Sequence, residues 1–479
     1  MYLGIDLGTS GVKALLIGEG QDILSSASAP LEVSRPHDGW SEQDPASWIS
    51  ATEAVIAELG ASHDLNAVKG IGLSGQMHGA TLIDEADQVL RPCMLWNDTR
   101  SHVEAAALDE NPIFRSETGN IVFPGFTAPK VDWVKNNEPA IFAKTKRILL
   151  PKDYLRLWLT GEHVSEMSDA AGTSWLNTGE RDWSDALLGA CDLDRSHMPR
   201  LVEGSENSGG LRSELASKFG MTAGIAVAGG GGDNAASAVG AGVVTAGQAF
   251  LSLGTSGVVF AANEGYAPDP DSALHTFCHA FPETWHQMGV ILAAADALSW
   301  YGNLVGAEPA TLTDELGPAQ APGRTMFLPY LGGERTPHND AKVRGAFIGL
   351  EHSTQRATGT LAVLEGVAFA LADSVIAMRE TGTDLDMVLA LGGGSKSQAW
   401  LQIVSNTLNI SVAVPEDGDF GAAFGAARLG MMAAGQATPS DATPPKIAKI
   451  IEPDPALVPA FADAHTRYSS TYQALKELS

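Results

Sequence analysis

Gly4-Ile5-Asp6-Leu7-Gly8-Thr9-Ser10-Gly11 decides how this chain is read, because its core returns as Leu253-Gly254-Thr255-Ser256-Gly257. Leu7 to Gly11 recurs unchanged 246 positions further on, about half of a 479-residue chain. One repeat at that period points to a duplicated domain rather than to a solenoid. Each copy follows a short apolar run (Met1 to Ile5, Ala249 to Leu251) and precedes another (Val12 to Ile17, Val258 to Ala262). The pattern predicts strand, tight turn, strand in both places. The glycines permit positive φ, and the hydroxyls of Thr9 and Ser10 stand beside exposed backbone N–H groups, a setting suited to phosphate oxygens. Isolated, a Gly-Thr-Ser-Gly is an ordinary turn; two copies at half-chain spacing argue for more. The copies differ in charge, since Asp6 and Lys13 of the first correspond in sequence to Ser252 and Val259 of the second. If both face one site between the halves, only the first brings charge.

At 50.0 kDa the chain exceeds the size at which single cores stop growing, so two domains are expected, 1–244 and 245–479. Hydrophobic residues make up 44% and mean hydropathy is +0.01, enough to bury two cores. The net charge of −27 and pI near 4.7 oppose binding to nucleic acid or anionic membrane. An anionic substrate must therefore be held by local devices: metal ions, backbone N–H groups and a few cations. Cys93, Cys191 and Cys278 are far apart and odd in number, implying neither a disulfide framework nor a Cys metal site, and a reducing cytoplasm is expected. Asp6 interrupts the first apolar stretch, so no signal peptide is expected, and no uncharged apolar run reaches the length of a membrane span.

Strands alternate with helices in both halves, which predicts α/β layering. Asp44-Pro45 marks the start of a helix carrying Trp48, Val55 and Leu59. The strand Val68 to Leu73 delivers Ser74-Gly75-Gln76-Met77-His78-Gly79 at its C-terminal end, where ligands of α/β sheets gather. Ser165 to Arg181 reads as an irregular loop. In the second half, helices are expected at Gly289 to Leu304, Ser353 to Thr381, Gln398 to Leu408, Gly421 to Met432 and Leu457 to Leu478. Thr438 to Ile450 is expected to be loop.

Asp233 follows four glycines, Gly229 to Gly232, at a strand-to-helix junction. It is either an N-cap or a general base taking a proton from a substrate hydroxyl, and the glycines favour the second by allowing close approach. Asp6 is either a turn aspartate or a partner of nucleotide-borne Mg²⁺. Gly392-Gly393-Gly394 opens a helix after a strand, a place that favours phosphate, although neither a Walker loop nor Gly-x-Gly-x-x-Gly is present. Gln76, Met77 and His78 offer amide, thioether and imidazole to a polyol, or serve as core and surface residues. Asn97, Asp98 and Arg100 are helix caps or sugar ligands.

Together these segments resemble the FGGY carbohydrate kinases of the actin-like ATP-binding superfamily. Gly4 to Lys13, His37 to Pro45, Leu73 to Gly79, Trp96 to Arg100, Gly230 to Ala236, Leu253 to Gly257, Gly333 to Asn339 and Leu391 to Gln402 carry the resemblance in unbroken order. Ser74 to Gly79 is the most discriminating piece and is similar to the substrate segment of ketopentose kinases. The resemblance implies two actin-like (RNase-H-like) domains with an interdomain cleft, and ATP and Mg²⁺ as cofactors. It implies Asp233 as base, and Gln76, Met77, His78, Asp98 and Asn234 at the sugar. For the nucleotide it implies Thr9, Ser10, Lys13, Gly254, Thr255, Gly392 and Gly393, with Asp6 near the metal. The expected reaction is phosphorylation of a ketopentose, D-xylulose at O5, and a homodimer is expected through the resemblance alone. The alternatives are a kinase for another polyol, ketose or sugar acid, and a nucleotide-switched sugar sensor on the same fold.

Overall fold

The strand Tyr2–Leu7 pairs antiparallel with Gly11–Ile17, which pairs with Ile23–Pro30, and on its other side runs parallel to Gly70–Gly75. Ala226–Ala228 and Asn207–Gly210 extend this seven-stranded sheet, and Gly231–Gly232 pairs with the end of Gly70–Gly75. The second half repeats the plan. Ala249–Leu253 pairs with Gly257–Asn263, then Trp285–Ile291, and on its other side runs parallel to Met387–Leu391, followed by Ser411–Pro415. His275–Cys278 and Ile447–Ile451 close the edges. The computed structural model describes residues 1–416, 418 and 420–476.

Central strands are apolar on both faces because helices cover both faces of the sheet. Tyr2, Leu3, Ile5 and Leu7 are fully buried, as are Leu251 and Leu253 in the second sheet. The helix Pro45–Gly60 begins as expected, with the Asp44 carboxylate accepting from Ala46 N–H. Arg356–Glu380 is long and apolar enough to cross a bilayer, yet 83% of its most apolar 18-residue window is buried inside the protein, so it is a core helix.

The helix Ala422–Ala433, in the second half of the sequence, packs directly on the first sheet. A Cβ on Gly72 would stand 1.7 Å from Ala426 O, and one on Gly4 2.0 Å from Ala423 O. A Cβ on Gly425 would meet Ala236 O at 1.7 Å. Glycine and alanine here let helix and sheet backbones touch, which locks the two halves together beneath their cleft.

Several expected elements differ. Trp285–Ile291 is a strand, and the helix begins only at Ala295, running to Val305. The apolar residues of 285–291 satisfy strand pairing on both sides, which a single-sequence period cannot tell from a buried helix. Thr438 to Ile450 is not all loop, because Ile447–Ile451 adds an edge strand beside Ser411–Pro415. Ser165 to Arg181 contains the buried strand end Val164–Glu166 and the short helix Met167–Ala170. The last helix is Val458–Lys476, and its expected end at Leu478 lies outside the described residues.

Candidate active site

The C-terminal ends of the first sheet bring the candidate carboxylates together. In register, Asp6 stands opposite Lys13 on one side and Ser74 on the other, and Ser74 in turn lies beside Gly231. Asp233 follows as the first residue of the helix Asp233–Ala241, and Gly232, not Asp233, occupies the N-cap. Its Oδ1 accepts from Asn234 N–H at 2.7 Å and from Asn234 Nδ2 at 2.9 Å. Asp233 keeps part of its surface open. Burial, reinforced by the charge of Asp6, pushes its carboxyl up to about 7, against the opposing hydrogen bonds from Asn234. A carboxylate poised near neutrality suits a general base.

Three of the four glycines before it, Gly229, Gly230 and Gly232, are explained by packing rather than by a ligand. Cβ atoms on Gly229, Gly230 and Gly232 would fall 2.2 Å from Glu203 O, 2.1 Å from Leu73 O and 2.9 Å from Met77 Cγ. Gly230 also has φ +80°. The close approach inferred from sequence is therefore made by the chain itself. Gly232 N–H donates to Ser168 Oγ at 3.1 Å, and Ser168 is fixed by Glu166. Beneath them Lys152, Asp153, Glu166 and Asp169 form a fully buried ionic cluster that anchors this turn.

Met77 touches Gly232, and His78 lies next to it at φ +69°. His78 Nδ1 is 2.7 Å from Gly172 O, so Nδ1 carries the proton and Nε2 is left as an acceptor. Burial, with the nearby charges of Lys130 and Arg335, lowers this imidazole to about 3, so it is neutral. Its ring stacks on Phe126 at 4.5 Å. Lys130 Nζ and Thr127 Oγ1 donate to His78 O and hold the turn.

Three expected sugar ligands have partners within the protein. Gln76 is buried with both ends of its amide engaged, Oε1 accepting from Thr9 Oγ1 at 3.1 Å and Nε2 donating to Gln43 Oε1 at 3.1 Å. Trp96 Nε1 donates to Thr9 Oγ1 at 2.9 Å, and Gln43 Nε2 to Thr9 O at 2.7 Å. This chain of bonds ties the first hairpin tip to the Ser74–Gly79 segment. Asp98 is fully buried and committed to Arg100 and to Ser41 N–H. Asn234 orients Asp233 and lines a cavity on the far side of it.

That cavity, of about 600 Å³, is bounded by Asn234, Ser237, Ser252, Val258, Gly392 and Lys396. A second, of about 650 Å³, lies across the Gly393–Lys396 turn, against Ala295, Ser299, Gly394 and Gln398. Gly392 and Gly394 pack on Leu253, whereas a Cβ on Gly393 would meet nothing within 4 Å. Gly254 is likewise uncrowded, with Ser256 O at 3.6 Å as the neighbour its Cβ would meet. At Gly393 and Gly254 open space, not packing, accompanies the glycine. Gln43, Trp96, Lys130 and Ser168 were not singled out from the sequence for roles at the site, because their partners are distant in the chain.

Two sheets of duplicated plan, joined beneath a cleft and each carrying a Leu-Gly-Thr-Ser-Gly hairpin, define the two-domain actin-like fold of sugar kinases. The chain belongs to the FGGY family of carbohydrate kinases: the profile of its N-terminal domain matches residues 1–240 and that of its C-terminal domain residues 249–434. A xylulose kinase of Escherichia coli (strain K12) is 50% identical over 437 residues, covering 91% of this chain and 90% of that protein. A solved structure from Brucella ovis, described as a xyloylose kinase, has 60% identity and TM-score 0.99, covering 100% of both chains. The xylulose kinase structure from Rhodospirillum rubrum has 29% identity and TM-score 0.93, covering 100% of this chain and 99% of its own.

Proposed function

We propose that this kinase transfers the γ-phosphoryl group of ATP to the terminal hydroxyl of a ketopentose, D-xylulose at O5. The observation that carries the reading is Asp233, raised to about 7, with Gly232 before it against Met77 of the sugar segment and Asn234 after it lining the cavity shared with Ser252 and Val258 of the second hairpin. In this reading 1–244 supplies the sugar-binding lobe and 245–479 most of the nucleotide-binding one. Met77 and His78 hold the sugar, and Asp233 takes the proton of the attacking hydroxyl. Thr9, Ser10 and Lys13 from one wall and Gly254 and Thr255 from the other hold the phosphates, while adenosine lies along Gly392 and Gly393. Phosphoryl transfer asks mainly for positioning and charge neutralisation, which these groups supply.

Mg²⁺ fits the same place. Asp6 is near enough to Asp233 to raise its pKa, so a cation there would be favourable. Among the described residues no cluster of three or more His, Cys, Asp or Glu could cage a metal, which fits an ion arriving on the nucleotide with Asp6 as its protein carboxylate. When bound it would neutralise phosphate charge. Three free, buried cysteines agree with a reducing cytoplasm.

Asp233→Ala is expected to abolish sugar phosphorylation while nucleotide binding, measured by titration calorimetry, persists; near-normal turnover would remove Asp233 from the base role. A coupled ADP-release assay over pentuloses, pentitols, glycerol and gluconate tests the sugar, and a preference outside the pentuloses would overturn the substrate assignment.

A further inference from the structure

Arg335, from the second half of the chain, brings a charge to the aromatic cluster that packs on His78 of the Ser74–Gly79 segment. Arg335 lies in the turn after Gly333, and its backbone is rigidly held. Glu334 Oε1 accepts from Arg335 N–H at 2.7 Å and from Leu292 N–H at 3.0 Å, while Thr336 Oγ1 donates to Ala273 O and accepts from Val290 N–H. The Arg335 guanidinium sits 4.8 Å above the Phe123 ring, and its NH1 is 3.4 Å from His275 Nε2. Phe126 links these groups to His78, stacking on His78 at 4.5 Å and standing 5.5 Å from Phe123 and 5.9 Å from His275. Among the described residues no carboxylate forms an ion pair with Arg335. The Glu334 carboxyl is turned to backbone N–H groups, and burial raises it to about 8.

A half-buried guanidinium set against the Phe123 ring and the neutral imidazole of His275 is partly shielded from water without gaining an anion. A cation–π contact offsets part of that cost, and the remaining N–H donors call for an oxygen acceptor. In the proposed reading the phosphoryl end of the sugar lies at Asp233, next to the Gly232 that Met77 touches, and His78, with Arg335 near it, takes the other end. We infer that Arg335 is a specificity-determining residue, donating to the ketone oxygen of an open-chain sugar whose terminal hydroxyl faces Asp233. The sugar is then gripped by His78 from one lobe and Arg335 from the other, so that binding it draws the lobes together. The inference rests on the ketose reading of the pocket.

The test compares a ketopentose with the pentitol obtained by reducing its carbonyl, in wild type, Arg335→Gln and Arg335→Lys. Wild type should favour the ketose in kcat/KM. Arg335→Gln should raise the ketose KM at least tenfold, with a smaller change in kcat, and cut the ketose-to-pentitol ratio at least fivefold; Arg335→Lys should recover part of the ratio. A merely structural role would depress both sugars alike. An unchanged ratio in Arg335→Gln, with the ketose still turned over, overturns the role of Arg335 alone. Wild type inert on ketoses brings down the pocket reading and this inference with it. Should Arg335→Gln not fold, as judged by its Tm, the same ratio measured in Arg335→Lys decides: a ratio equal to wild type overturns the inference, and a reduced one supports it.

Discussion

The two Leu-Gly-Thr-Ser-Gly hairpins share five residues and little else. In the first, Leu7 pairs with Val12 and Asp6 with Lys13, and Gly8 N–H donates to Gly11 O at 3.0 Å. In the second, Leu253 pairs with Gly257 and Ser252 with Val258, so the turn is one residue shorter. The partner of Ser252 is therefore Val258, which lines the nucleotide-side cavity, and not Val259, which is buried in the core. Surroundings account for the difference. The first tip is held through its carbonyls by Leu31 N–H and Gln43 Nε2, and through Thr9 Oγ1 by Trp96 and Gln76. The second is held by Ala294 and Ala295 N–H groups, which donate to Thr255 O and Gly254 O at 2.9 and 2.8 Å. Identical pentapeptides adopt the turn their neighbours satisfy, and the charge needed for chemistry sits on one side only.

Substitution can break this asymmetry. Among the hairpin residues the largest effect is expected for Asp6→Asn, which should lower kcat by about a thousandfold. Ser252→Ala should leave kcat within about threefold, consistent with a side chain that lines the cavity without adding charge. Equal losses in the two variants, measured by steady-state ADP release, would undo the division between a charged and an uncharged wall. Thr9→Val comes next, because Thr9 bridges the first hairpin to the Ser74–Gly79 segment: KM for sugar and for ATP should both rise about tenfold. Thr255→Val should raise the ATP KM alone, and a parallel rise for sugar would show that the second tip also reaches the sugar.

The smallest effect is one of pH. Since Asp233 is raised to about 7 and must be ionised to accept a proton, kcat/KM for the sugar should fall as pH drops below neutrality and level off above it. The sign for stability is the opposite. A carboxyl whose folded-state pKa lies above its unfolded value favours folding most when protonated and less as pH rises from about 4 to about 7. Asp233→Asn should therefore raise Tm at pH 8 while abolishing turnover. A Tm unchanged at pH 8 would mean that Asp6 and burial do not strain this carboxylate.

Part of the candidate site was legible from local pattern: Asp233 stands out at a glycine-rich junction, and Met77 and His78 at a strand end, in the chain itself. The tasks of Gln76, Asp98 and Asn234 were not legible, because a polar side chain reads the same whether it meets substrate, Arg100 or a neighbouring carboxylate. The purpose of Gly229, Gly230 and Gly232 was hidden for a similar reason, since the atoms that crowd them belong to Leu73, Met77 and Glu203.

By itself the sequence determined the duplication, the α/β layering, the strand-to-helix junction at Asp233 and the positions of both hairpins, all properties of short stretches and their spacing. Only the tertiary structure decided the register of the second hairpin, the edge strand Ile447–Ile451, the helix Ala422–Ala433 resting on the opposite sheet, and Arg335 beside His78. Each depends on contacts between residues far apart in the chain, where burial and hydrogen-bond satisfaction outweigh local preference.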